Sequence, residues 1–278
     1  MNYLHRGLRH TGTAIRAHLF LFILLLILQV LVVGGTVYAG LTYQVRIMED
    51  LTTLLKSADS ANYGQETLQS GQPFLKDTLK LYQAYRSLID KAIQLALWVG
   101  GLLFIGNGIL WLLSLQIIAP STFFLKETGK RALKYVVSAL IIFTPIIAAS
   151  YFSLKNLVAR QAVEALPQAL KEIAIVFLVG YYFFLIALAT ISFPAWREFL
   201  RSFWRTAIYT IHKTLFLFLL NAALLFGGLY LIYLSLNYPE QGWLVLASSF
   251  LLLLLVVLLR VYWIASVQEI GREERAIV

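Results

Sequence analysis

The chain has no cysteine and very few charges. Without cysteine there is no disulfide, no thiolate nucleophile, no zinc ribbon and no cysteine-ligated iron–sulfur cluster. Charged residues make up 13% of the 278 residues, about half the roughly 25% of a soluble domain. The sequence lacks HExxH, GxSxG, a phosphate-binding GxxxxGK[ST] and a dinucleotide-binding GxGxxG. Gly106-Asn107-Gly108 is followed by neither a lysine nor a second glycine pair, so it is no phosphate loop. Nothing alternates with period two, which excludes a membrane β-barrel. What remains is apolar: 60% of residues are hydrophobic and mean hydropathy is +0.77. The composition is that of an all-α, polytopic membrane protein.

Gaps between charges set the spans. Crossing about 30 Å of hydrocarbon takes roughly 20 apolar residues. Six runs qualify: 19–45, 92–116, 135–154, 173–194, 214–237 and 241–260. Pro120 ends the second, Pro145 sits inside the third and Pro194 closes the fourth. The first run follows Arg6, Arg9 and Arg16 as a signal peptide would, but its 27 residues far exceed the roughly 7–15 of a cleaved apolar core. It is read as a retained span. The six helices are expected to form three helical hairpins.

The links are expected to be helical as well. Residues 46–91 form two patterns around a polar break, with Pro73 at the start of the second. Ile47, Leu51, Leu54 and Leu55 make one apolar stripe, and Leu75, Leu79, Tyr82, Tyr85 and Ile89 another. Two spans prolonged outward as an amphipathic helical hairpin explain them. Residues 155–171 read as a short interfacial helix interrupted at Pro167. Basic amphipathic lead-ins precede spans 1, 3 and 5, at 4–18, 126–134 and 196–213. In the last, Trp196, Phe199, Leu200, Phe203, Trp204 and Ile208 share one face, and Arg197, Arg201 and Arg205 share another. Such a helix lies in the headgroup plane.

Orientation follows from the charges. The face holding both termini carries fourteen of the 23 basic residues and five of the 14 acids, hence the whole net charge of +9. Lys/Arg excess marks the cytoplasm. Both termini are therefore expected in the cytoplasm of a cell that holds the protein in its inner, or plasma, membrane. The positive balance reads as topology and contact with anionic lipid headgroups. It does not read as a nucleic-acid surface.

Intramembrane Asp, Glu, Lys, Arg or His would be the default sign of function. None lies inside the six runs, the sixth of which ends on Arg260. His5, His10, His18 and His212 all fall in the lead-ins, which argues against a haem b held by two histidines between spans. Asn107 and Asn221 sit near mid-span, where an interhelical hydrogen bond is the favoured role. Lining a pathway, or coordinating a cation with backbone carbonyls exposed at Pro145, is the alternative. Gly35 with Ala39, Ala96 with Gly100, and Ala223 with Gly227 are each four apart and suggest close helix contacts. Trp196, Arg197, Arg201, Trp204 and Arg205 are the candidate lipid or partner contacts. No catalytic, cofactor or metal residue emerges, so a non-enzymatic role is expected. It would be a scaffold or assembly subunit of an envelope complex, built with other membrane subunits or further copies of itself. A permease subunit, passive or driven by a separate ATPase, is the alternative.

Overall fold

A computed structural model describes residues 2–59, 75–120, 124–159, 166–193, 195–238 and 240–277. The polar break after residue 59, Pro73, Pro194 and Pro239 lie outside the described residues. The described residues contain no strand. The helices are α1 (Asn2–Ala17), α2 (Leu19–Asp59), α3 (Leu75–Gly101), α4 (Asn107–Ile118), α5 (Phe124–Ala159), α6 (Leu166–Thr190), α7 (Trp196–Trp204), α8 (Ile211–Leu236) and α9 (Gly242–Ile277). Two π-helical turns interrupt them: π1 (Leu102–Gly106) between α3 and α4, and π2 (Arg205–Tyr209) between α7 and α8.

Six stretches are long and apolar enough to cross a membrane: Leu19–Thr53, Tyr82–Ile118, Glu127–Ser153, Pro167–Thr190, Ile211–Leu236 and Gly242–Glu273. The chain is a multi-pass membrane protein. It divides into two compact units. Residues 28–107 form one, and residues 1–27 with 108–278 form the other.

In the 28–107 unit, α2 and α3 run alongside each other. Gly35 meets Leu102 and Gly106 meets Val32 so closely that a Cβ on Gly106 would stand 2.6 Å from the valine. Farther along, Lys91 pairs with Asp50 at 2.8 Å and Tyr43 bonds Gln94 at 3.4 Å. Asp50 lies on the 46–59 extension of α2, which continues the helix past the apolar run. At about 1.5 Å per residue, the 41 residues of α2 reach about twice the thickness of a hydrocarbon core.

In the other unit the hub is the second half of α9. Residues 261–270 bury all but Tyr262 and Gln268. Trp263 donates to the Leu185 carbonyl of α6 at 2.9 Å and packs edge-on against Phe218 of α8. Tyr182 of α6 shares a 2.6 Å hydrogen bond with Thr214 of α8. α5 and α6 mesh through Gly180, set against Ile146, and through the Phe143 and Phe184 rings. α8 and α9 meet at Gly228 and Leu252, and at a 3.0 Å contact between Ser235 and Ser248.

Several expectations change. Beyond the run that ends at residue 260, α9 continues, and residues 261–270 join the core, because apolar residues recur at Val261, Ile264, Val267 and Ile270. The lead-in 126–134 belongs to α5, one helix through Pro145. Pro145 is exposed and does not break that helix. Of the interfacial helix expected at 155–171, residues 160–165 lie outside the described residues. Residues 155–159 finish α5, and Pro167 stands in the first turn of α6, where a missing N–H costs nothing. The stretch 196–213 is not one helix: π2 and Thr210, at φ −108° and ψ 23°, separate α7 from α8. Of the small pairs, Gly35 and Ala39 face a neighbour or the interior, whereas Ala96, Gly100, Ala223 and Gly227 are exposed. Gly228, next to Gly227, makes the contact instead.

Candidate functional site

The polar chemistry of the larger unit gathers at the end of its helices that carries most of the cations. α5 brings Arg131 and Lys134 there, one turn apart. Arg131 donates to the Ala119 carbonyl at 3.1 Å and to Gln116 at 3.3 Å, both at the end of α4. Lys134 is 2% exposed and donates to the Phe193 carbonyl, just beyond α6. Its ammonium stands 5.7 Å from the Trp196 ring centre and 5.6 Å from that of Phe199. Two cations of one helix thus hold the backbone just past the ends of two others. Both fall in the stretch 126–134, expected as a basic lead-in to span 3. Their i, i+3 spacing at the start of an apolar run was the available signal.

A second cluster joins the two ends of the chain. α1 lies on the last turns of α9, and a Cβ on Gly7 would come within 2.3 Å of the Ser266 hydroxyl. Arg6 pairs with Glu273 at 2.8 Å, and His10 Nδ1 stands 3.6 Å from Glu269. Lys213 of α8 reaches Glu273 at 3.4 Å, and Arg272 reaches Glu269 at 2.8 Å. Tyr3 is buried here, and burial raises its hydroxyl pKa, with Tyr262 and Glu273 adding in the same direction. α1 therefore packs on protein along one face rather than only on headgroups.

α7 and π2 carry two stripes. Phe199, Thr206, Ala207 and Thr210 are buried, with Ser202 and Phe203 half-buried beside them. Trp196, Leu200, Trp204 and Ile208, four apart, are 40–54% exposed. The apolar face expected on this segment is thus divided, and half of it turns inward. Arg197 and Arg201 are exposed and Arg205 is half-buried.

Two crevices flank Phe193. The larger, about 340 Å³, is lined by Glu198, Arg201, Ser202, Arg205 and Thr206, with Gly271 of α9 opposite. The smaller, about 170 Å³, is lined by Glu127, Lys130, Arg131 and Lys134. Of the candidate contacts, Arg201 and Arg205 line a crevice, while Trp196, Arg197 and Trp204 do not. Neither Pro145 nor Asn221 lines either one.

Asn221 is buried in α8, and its Oδ1 has no hydrogen-bond partner among the described residues. The hydrogen bond expected of it is not formed by that oxygen. Gln29 Oε1, on α2, is in the same situation. Asn107 directly follows π1 and is half-buried. Its backbone N–H falls between the Leu103 and Phe104 carbonyls. Arg260, placed at the edge of span 6 by its charge, stands mid-helix in α9 with its guanidinium 5.6 Å from the Trp111 ring centre.

No protein family, curated protein or solved structure matches the chain.

Proposed function

We propose that the chain is a non-catalytic membrane subunit that works inside a larger envelope assembly, with its basic end and both termini in the cytoplasm. The observation that carries this reading is how little of each span the chain covers itself. Over the most apolar window of each span, only 11–22% of residues are buried in five cases and 50% in the sixth. A chain built to enclose a pathway alone would bury the inner faces of its spans. Here those faces are left for lipid and for other subunits or copies, and the well-packed part is a platform at one end.

A photo-crosslinking residue at Leu97, which is 70% exposed, tests this in intact cells. A discrete protein adduct is expected. Adducts to lipid alone would remove the subunit reading. Orientation is tested separately with reporter fusions. Ala61 and Asn237 should report outside, and Glu127 and the C-terminus inside. A cytoplasmic signal at Ala61 would reverse the assignment.

The second reading is a permease driven by a separate ATPase. It draws on α7, a nine-residue helix between two spans with arginines and tryptophans exposed. In that case α7 would dock into the ATPase, and charge reversal of Arg197, Arg201 and Arg205 would matter only when that partner is present.

A further inference from the structure

We propose that the exposed apolar stripe of α7 and π2 is seated in the lipid bilayer, at the boundary between headgroups and acyl chains. The inference rests on the chain's being a membrane protein, not on the subunit reading.

The segment has three sides. At 3.6 residues per turn, Phe199, Ser202, Phe203 and Thr206 fall together, and all four are buried or half-buried against the rest of the unit. Glu198 and Arg201 lie on a second side, with Arg197 at its border, and these three are exposed. Trp196, Leu200, Trp204 and Ile208 make the third, which is apolar and uncovered. A helix on the water-facing surface of a protein needs only two sides, one apolar toward the core and one polar toward solvent. A third side, apolar and turned away from the core, calls for an apolar medium.

The chain's path brings that medium within reach. Residues 191–210 connect two membrane spans, one ending at Thr190 and the next starting at Ile211. The stripe is also continuous with a surface that meets lipid. Beyond Ile208, Ile211 and Leu215 follow at spacings of three and four, are exposed in the same way, and belong to the span.

The side chains suit that depth. Tryptophan concentrates where headgroups meet hydrocarbon. Arg197 and Arg201 outnumber Glu198 among the exposed charges of α7, which is the sign that a phosphate layer attracts. Helices with tryptophan and leucine on one face and arginine on another sink their apolar face about 5–10 Å into this boundary. A soluble partner docked on the stripe would have to cover residues that run directly into the lipid-facing side of a span.

The chain has no cysteine, so a spin label on one introduced cysteine reports a single position. Leu200→Cys, Trp204→Cys and Arg201→Cys are labelled in the full chain and reconstituted in vesicles of phosphatidylcholine with phosphatidylglycerol. Collisions with oxygen, which concentrates among acyl chains, are compared with collisions with a water-soluble nickel chelate. Labels replacing Leu200 and Trp204 should favour oxygen several-fold, and the label replacing Arg201 should favour the chelate. All three replace exposed side chains, so each variant should keep the wild-type thermal transition, which separates a change of depth from unfolding. Chelate-dominated collisions at all three positions would put the stripe in water, free for a protein partner, and overturn the proposal. Labels replacing Leu200 and Trp204 that are shielded from both agents would show a second copy covering the stripe, and overturn it as well. Equal profiles at Leu200 and Arg201 would remove the sidedness on which it stands.

Discussion

Residues 261–270 of α9 and residues 93–105 of α3 and π1 are both helical, yet they have opposite environments. The first stretch, VYWIASVQEI, contains glutamine, glutamate and serine and buries all but two of its residues. The second, IQLALWVGGLLFI, is far more apolar and has no buried residue. In water the order would be reversed. In a bilayer, lipid tails are as apolar as leucine, so apolar surface alone does not draw helices together. Close backbone approach and polar pairing do so instead. Gly7 on Ser266, Trp263 on the Leu185 carbonyl, and Lys134 on the Phe193 carbonyl are contacts of that kind.

The comparison breaks most easily at its tryptophans. Trp263→Ala removes a ring that is 2% exposed and orphans the Leu185 carbonyl. It should cost about 3–5 kcal/mol, read as a large drop in thermal transition in detergent. Trp98→Ala removes a ring that is 57% exposed and should cost within about 0.5 kcal/mol. Equal costs would mean that the exposed stretch is packed in a way the chain itself does not show.

A glycine pair on α1 sharpens the point. Gly7→Ala places a methyl against Ser266 and should cost about 1–3 kcal/mol by overpacking as α1 shifts off α9. Gly12→Ala meets nothing within 4 Å and should be neutral or stabilise by up to about 1 kcal/mol. Fluorescence of Trp263 and thermal unfolding read both. The smallest effect belongs to the other unit, where Asp50→Ala removes the partner of Lys91 and should cost about 0–1 kcal/mol.

This contrast also explains what the sequence made legible. The six spans were readable because charge is excluded from hydrocarbon, and the limits at Thr190 and Leu236 fall within a few residues of those expected. The helical prolongation of α2 past Val45 was readable from the stripe of Ile47 and Leu51. The packed end was not, for the same reason the spans were. Counting charges turned Arg131, Lys134 and Arg260 into boundaries, when the first two hold backbone just past the ends of α4 and α6 and the third lies along Trp111. The α7–π2 stretch was recognised as amphipathic, but its apolar residues serve two neighbours, and helical spacing does not tell Phe199 from Leu200. Arg201 and Arg205 were marked as contacts, whereas the crevice they share depends on Phe193 and Gly271, which are distant in sequence.

In the proposed assembly, the faces this chain leaves uncovered are completed by other polypeptides. The most direct test is the mass of the native particle after extraction in the mildest detergent that solubilises it. The account predicts a discrete particle well above the 31.5 kDa of one chain, with a fixed ratio of this chain to other subunits or copies. A particle of one chain with lipid alone, at every detergent concentration and with α9 still folded, would contradict it.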